Sequence, residues 1–481
     1  MEHKQGVISR FLRFFSSVKC GLILLGLLGT ATITGTFILQ RPMAREGQIE
    51  QIYAPQTIRL LDALGLFDVF HAWWFLLLLG LLGSNIALAS LERFPQAWRY
   101  FARPHRAADE WYVRRLPVIR EIPLGSVDPK EALTTAAQTL ERHHLHPHPA
   151  TLAKGTVYVE KHRLARLAPY VVHTSLIVIF AGAIIDGVWG YRGFVSLGPG
   201  TKIQSVEPTN SSSAPHLLPF TLRCEGAGMD KYPDGSPKQY WTNLVVEENS
   251  REVMRKRIYV NEPLTYKGIR FFQSSYGSTG APTRLTIEAN WADGKRPPQR
   301  IILRPEESIG LANGARVQLG DFVPDFILQG NQISTRSNDP NNPAVRLLLT
   351  QPDGSQVSVW FFSNYPQMNY PVDPGIKFRL ADVEMGYASG LQVAKQPGKA
   401  LIWGGCLVLS LGLVLALYMV HIRIWGVIAR DAKGKPVLLL GGQPNKYRHS
   451  FEEQFRRLGD AVEEAVRSRR SAARELERIP A

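Results

Sequence analysis

One histidine of this chain lies inside a long apolar stretch. His173 is part of segment 167–194, which is about the length that an α-helix needs to cross the hydrocarbon core of a bilayer. An ionisable side chain at that depth is costly and is usually functional. A neutral imidazole is suited to axial ligation of haem iron, but it can equally form a hydrogen bond to a neighbouring helix. On chemistry alone, both interpretations of His173 stay open.

Two further histidines stand at the ends of apolar segments. His71 precedes the second such segment and His421 follows the last one. Their positions favour snorkelling of both rings to the membrane interface over a ligand role. The four histidine side chains of the sequence RHHLHPHP at 142–149 could bind one metal ion together. Because Pro147 and Pro149 prevent regular ligand spacing, we interpret it as a polar loop after a helix.

The three cysteines offer no redox or attachment chemistry. Cys20 and Cys406 lie in apolar segments, and Cys224 stands alone in a polar region. The chain contains no CxxC or CxxCH, which excludes a thioredoxin-like dithiol and a c-type haem attachment site. The region 195–397 has one histidine, His216, and no defensible Ser/His/Asp set or glycine-rich phosphate loop. These features argue against a self-sufficient enzyme.

Four apolar segments predict a polytopic membrane protein. The first is too long for a removable signal peptide, and no convincing small-residue cleavage site follows it. The segment 41–70 is expected to be a short external segment, and its rough helical stripe of apolar residues suits a helix lying on the membrane face. The predicted transmembrane helices are 20–40, 71–91, 167–188 and 399–421.

Basic residues assign the sides of the membrane. The segments 92–166 and 422–481 carry thirteen Lys or Arg each. The positive-inside rule therefore places both segments, together with the N-terminal residues 1–19, in the cytoplasm. The net charge of +15 collects in these two segments, which disfavours nucleic acid as a partner.

A few shorter elements are predicted near the spans. Residues 128–142 favour a helix with Asp128 as its cap, and 157–159 favour a strand. The tail predicts a charged amphipathic helix at 452–477. At the outer end of the third span, Asp186 is expected to be an interfacial cap or a partner of Arg192.

The segment 189–398, between the third and fourth spans, predicts a large extracytoplasmic all-β domain of two packed sheets. Alternating or β-branched runs recur in it between turn sequences, and the segments 211–213 and 338–342 are expected to be loops. We predict a hairpin within 260–277, with Tyr266-Lys267-Gly268 near the turn and Phe271 and Phe272 on opposite faces. The runs are 220–223, 243–246, 257–260, 269–272, 284–289, 300–303, 315–319, 345–350, 357–362 and 376–380.

Several motifs resemble the ResB family, also called CcsB, over nearly the whole chain. The third span carries His173, and Gly182 and the sequence YRGF follow it, similar to that family's G-x-R-G-F. The most specific motif is VNEPLTYKGIRFFQSSYG. The other resembling stretches are GTFILQ at 35–40, the W-F-x-x-L-L…N pattern from Trp74 to Asn85, YPDGSPKQYWTNL at 232–244 and YASGLQVAKQPG at 387–398.

The resemblance implies the membrane subunit of the system II cytochrome c biogenesis machinery. With a ResC/CcsA-like partner, such a subunit conveys haem across the bacterial inner membrane and presents it to the CxxCH of an apocytochrome c. The implied enzyme role is that of a non-autonomous subunit of a holocytochrome c synthase. Haem b would be held transiently and shared with the partner, and a thioredoxin-like thiol reductase is a further expected partner.

The resemblance also implies site residues. His173 matches the intramembrane histidine that serves as a haem axial ligand, so it would bind metal through the haem iron. His71 is a second candidate, although its outer position suits an inner haem poorly. Some relatives carry Cys where this chain has Ala89, which excludes a thiol role there.

The partner family's tryptophan-rich haem motif and external histidine pair are absent from this chain. The second half of the machinery must therefore come from another polypeptide. Two alternatives remain: a structural chaperone of the partner that binds no haem, and a membrane-anchored extracytoplasmic binding or sensor protein. The motif at 260–277 and the lack of a kinase-like or coiled-coil output segment disfavour the sensor.

Overall fold

The computed structural model describes residues 7–41, 44, 48–209, 214–291, 297–329, 332–365, 369 and 376–476. The loop predicted at 211–213 lies outside these residues. The α-helices are α1 (Val7–Phe15), α2 (Val18–Phe37), α3 (Gln48–Ile52), α4 (Pro55–Ala63), α5 (Trp73–Ala102), α6 (Glu110–Arg114), α7 (Pro129–Arg142), α8 (Pro149–Leu152), α9 (Ala168–Trp189), α10 (Lys399–Tyr418) and α11 (Arg448–Leu476). Two 3-10 turns, Leu66–His71 and Arg163–Arg166, precede α5 and α9.

The described strands are β1 (Val118–Pro123), β2 (Val157–Lys161), β3 (Tyr191–Leu197), β4 (Lys202–Pro208), β5 (His216–Lys231), β6 (Pro237–Glu248), β7 (Arg251–Tyr259), β8 (Leu264–Tyr266), β9 (Ile269–Trp291), β10 (Gln299–Leu303), β11 (Ser308–Gly310), β12 (Arg316–Val323), β13 (Phe326–Gln329), β14 (Gln332–Thr335), β15 (Ala344–Thr350), β16 (Gln356–Phe362), β17 (Ile376–Lys395), β18 (Ile422–Arg430) and β19 (Pro436–Pro444). The chain forms two compact units. One contains the long apolar helices and the segments around them, and the other contains residues 189–396.

Four helices, α2, α5, α9 and α10, are long and apolar enough to cross a membrane, which confirms the four predicted spans. The helix α5 does not end near residue 91 but continues to Ala102. Hydropathy marks where apolar residues stop, whereas backbone hydrogen bonding decides where a helix stops. The stripe predicted in 41–70 is broken, because Pro55 starts a new helix and Gly65 has the left-handed φ of +68°.

The two basic segments fold together. Their strands form one antiparallel sheet in the order β1-β19-β18-β2, with α7 and α11 over one face. Asp128 caps α7 by accepting from Lys130 N and Glu131 N, as predicted. Strand β2 and the tail helix are also confirmed, but β1, β18 and β19 were not predicted. We call the residues 92–166 and 422–476 the basic domain.

Residues 189–396 form the predicted all-β domain. Eight strands pair antiparallel in the order β10-β9-β17-β3-β4-β5-β6-β7, with β8 against β9. A second sheet, β11-β12-β15-β16, packs on the distal part of β9 and β17. The runs 269–272 and 284–289 belong to one strand, β9, because its pairing with β17 continues through several bulges.

The predicted hairpin is present. Tyr266 pairs with Ile269, and the two residues between them, Lys267 and Gly268, have φ of +46° and +76°. This is the left-handed pattern of a two-residue hairpin turn. Phe271 is fully buried in the core of β5, β6, β9 and β17, whereas Phe272 is half-buried on the other face.

Candidate functional site

His173 lies in the second turn of α9, about 7 Å along the helix axis from Ala168. Its Nδ1 is 2.9 Å from the Oγ of Ser90 on α5. The ring is half-buried, and its Nε2 has no hydrogen-bond partner among the residues that the structure describes. When Nδ1 donates to Ser90, Nε2 carries the free lone pair that a metal ligand needs.

Glycines hold α9 against its neighbour α10. A Cβ on Gly182 would lie 2.8 Å from Ile402 Cγ1 and 2.9 Å from the carbonyl oxygen of Gly398. Asp186 accepts a 2.6 Å hydrogen bond from the backbone N–H of Gly398, at the start of α10. Asp186 is therefore a cap, but for the neighbouring helix. Small residues allow this close approach, which fixes the rotation of α9 and hence the direction of His173.

His71 lies at the opposite end of α5. Its Nδ1 is 2.7 Å from Asp68 Oδ1, and its side chain is exposed. The helix runs from Trp73, beside His71, to Ser90, beside His173, a rise of about 26 Å. The structure therefore does not bring the two candidate histidines together, and a single ion could not bind both.

Gln40 and Asn85, which belong to the motifs of the first two spans, form hydrogen bonds to backbone groups. Gln40 donates to the Leu66 carbonyl and accepts from Val69 N, at 3.0 Å each. Asn85 donates to the carbonyls of Phe15 and Ser17, where α1 gives way to α2. Backbone groups at helix ends need such partners inside a membrane, since water cannot supply them there.

The snorkelling predicted for His421 is wrong. This side chain is only 2% exposed, with Nε2 2.8 Å from Glu160 Oε1 and Nδ1 accepting from Arg166 Nε at 3.3 Å. Burial alone would raise the pKa of Glu160, but the His421 hydrogen bond and the Arg163 charge outweigh it and hold that pKa below its ordinary value. Position in the sequence could not show that Glu160 on β2 and Arg166 on the 3-10 turn would meet this ring.

The histidines of RHHLHPHP diverge. His143 ends α7, and His144 follows in a left-handed conformation with φ of +59°. His146 is exposed beside Glu141, whereas His148 precedes α8 with its Nδ1 buried. In the described part of the chain, no three His, Cys, Asp or Glu side chains converge as a metal site.

In the β domain, three of the motif stretches meet in one buried polar network. Thr242, Gln273 and Ser389 lie on β6, β9 and β17 and are at most 5% exposed. Thr242 donates to Gln273 Oε1 at 2.6 Å, and Gln273 Nε2 donates to Ser389 Oγ at 2.8 Å. Neither this network nor the contact of Ser90 could be predicted from the sequence, because isolated polar residues carry no periodic signal of their distant partners.

The ResB-like family model matches residues 18–365 and 362–456. The CcsB of Synechococcus sp. is 27% identical, over 84% of this chain and 78% of its own. The CcsB of Microcystis aeruginosa is 24% identical (93% and 94%) and the ResB of Bacillus subtilis is 24% identical (88% and 82%). All three are named cytochrome c biogenesis proteins. The match covers most of the chain, which therefore belongs to the ResB-like family.

Proposed function

We propose that this chain acts in cytochrome c biogenesis as the ResB-type subunit that, with a ResC/CcsA-like partner, conveys haem across the membrane for attachment to apocytochrome c. Its family membership and the names of its relatives support the general role. The observation that carries the haem role is His173, whose Nε2 is free while its Nδ1 faces Ser90.

The residues present fit a haem held at the end of α9 nearest the basic domain. Nε2 of His173 would supply a lone pair to the haem iron, and a side chain of the partner would supply the second ligand. Ser90 holds the imidazole ring of His173 in one orientation, so the ring is more often oriented to bind the iron. Arg93 lies one turn beyond Ser90 on the same face of α5, where its cation suits a haem propionate.

Topology is part of the proposal. The thirteen basic residues in each of 92–166 and 422–481 support a basic domain in the cytoplasm of a bacterium and a β domain outside the inner membrane. Reporter fusions after residues 120 and 300 should then report opposite compartments. Activity of both fusions in one compartment would contradict this arrangement.

Substitution of His173 tests the haem role. In a co-expressed complex with the partner, His173→Ala should leave assembly intact, deplete the haem absorbance and block maturation of a reporter cytochrome c. Added imidazole should restore part of both signals by occupying the vacated position. Ser90→Ala removes only the hydrogen bond to Nδ1 of His173. Loss of such a partner to a metal-ligating histidine typically weakens metal binding about 10–100-fold.

Thr174→Ala is the matched control, since Thr174 is adjacent on α9 and exposed. It should keep full haem and full maturation. A His173→Ala complex that retains the complete bis-histidine haem spectrum would overturn the assignment. An assembled wild-type complex that matures cytochrome c while binding no haem through this chain would favour the chaperone alternative.

A further inference from the structure

A cluster of arginines lies where the spanning helices meet the basic domain. Arg163 and Arg166 lie on the 3-10 turn that leads into α9, and Arg423 lies on β18, just after α10. Glu160 on β2 is the cross-strand partner of Arg423, so their side chains share one face of the sheet. We call these four residues the boundary cluster.

The boundary cluster carries more positive than negative charge. Its one carboxylate, Glu160, is bound by His421 at one oxygen and lies 3.9 Å from Arg163 at the other. His421 bridges the cluster, since its Nε2 lies 2.8 Å from Glu160 Oε1 and its Nδ1 accepts a hydrogen bond from Arg166 Nε. Three guanidinium groups therefore face a single carboxylate.

These guanidinium groups are not fully satisfied by the chain. The Nε atoms of Arg163 and Arg423 are buried without a hydrogen-bond partner among the described residues. The neighbour of Arg423 on β19 is Gln443, a neutral acceptor at 2.7 Å. Burial, and after it the charge of Arg423, lowers the pKa of Arg166. Like charges held this close favour the binding of an anion.

Aromatic residues of the kind that marks a membrane interface lie beside the cluster. The last turn of α5 sets the Tyr100 ring 5.0 Å from the Arg166 guanidinium and the Phe101 ring 4.6 Å from that of Arg163. Trp98, one turn earlier, is exposed. Aromatic and basic residues at the ends of spans typically mark the membrane interface. An anion that reaches these arginines from the bilayer is a phospholipid phosphate.

We propose that the boundary cluster binds the phosphate of an anionic phospholipid, at the membrane face beside the basic domain. Planar guanidinium forks match the oxygens of a phosphate. The side chain of Arg163 is one-third exposed, so lipid can reach it. The bound headgroup would supply the missing negative charge between α5, α9 and β18. This site is independent of haem binding at His173.

Lipid titration of the delipidated full chain, followed by native mass spectrometry in a neutral detergent, tests the proposal. The probes are phosphatidylglycerol, phosphatidylcholine and inorganic phosphate. Phosphatidylglycerol should bind at least about tenfold more tightly than phosphatidylcholine, because both lipids carry the phosphate but the choline cation of phosphatidylcholine cancels its net charge and is repelled by the arginines. Arg163→Gln and Arg423→Gln should each weaken phosphatidylglycerol binding about tenfold or more. Millimolar inorganic phosphate should not displace the lipid.

Arg457→Gln is the matched control. Arg457 is exposed on α11 and paired to Glu453, so this variant should bind as the wild type does. Should Arg163→Gln fail to fold, Arg163→Lys keeps the charge without the fork, and its binding should be weaker than wild type and more sensitive to salt. Equal binding of the two lipids, unchanged binding in the arginine variants, or displacement of the lipid by inorganic phosphate would each overturn the proposal.

Discussion

The buried Gln273 Oε1 accepts hydrogen bonds from two hydroxyl groups, which can be removed one at a time. Thr242 Oγ1 lies 2.6 Å and Ser389 Oγ 3.1 Å from this oxygen. Thr242→Val or Ser389→Ala alone leaves the other donor in place. Because a net hydrogen bond contributes about 1 kcal/mol, we expect Thr242→Val to lower the free energy of unfolding of the β domain by about 1 kcal/mol. Ser389→Ala also removes the acceptor of the Gln273 Nε2 bond, so we expect it to cost about 2 kcal/mol.

The double variant should cost more than the sum of the two. It leaves Gln273 Oε1 without a side-chain donor in a core where Gln273 is 5% exposed. An unsatisfied buried acceptor costs about 1–3 kcal/mol. We therefore expect the double variant to lose about 4–5 kcal/mol, with a coupling of about 1–2 kcal/mol beyond additivity.

Pulse proteolysis across a urea gradient, performed on the full chain in detergent, measures this loss through the fragments of the β domain. Thr265→Val on β8 is the control, since this threonine is exposed and its removal should change the stability by less than about 0.5 kcal/mol. Additive effects of the two substitutions, within that error, would refute the dependence of Gln273 on both donors.

Two more predictions concern the helix seam and the basic domain. Gly182→Val places a side chain against Ile402, so the detergent-solubilised chain should melt several degrees lower, whereas Gly404→Val, with no atom within 4 Å of the new Cβ, should melt as the wild type does. Because the pKa of Glu160 lies below its ordinary value of 4.5, its contribution is complete at neutral pH and is lost as the pH falls through the folded-state pKa. The basic domain should thus lose stability more steeply below pH 4.5 than the Glu160→Gln variant does; parallel curves for the two proteins would contradict this.

Local signals sufficed for several elements. Runs of about twenty apolar residues predicted the four spans, because the bilayer thickness sets the required helix length and no distant residue of the chain changes it. Asp128 predicted the start of α7, and Lys267-Gly268 the hairpin turn, because a cap and a two-residue turn are made by neighbouring residues. His173 could be singled out because an ionisable residue is rare in an apolar helix.

Other features depend on contacts between distant residues. Strands β1 and β2 pair with β19 and β18, more than 250 positions away, so neither basic segment alone reveals their common sheet. His421 is buried only because Glu160 and Arg166 meet it there. Ser90 faces His173 for the same kind of reason, across two helices. A sequence shows which face of its own element a residue occupies, but tertiary packing decides what lies opposite that face.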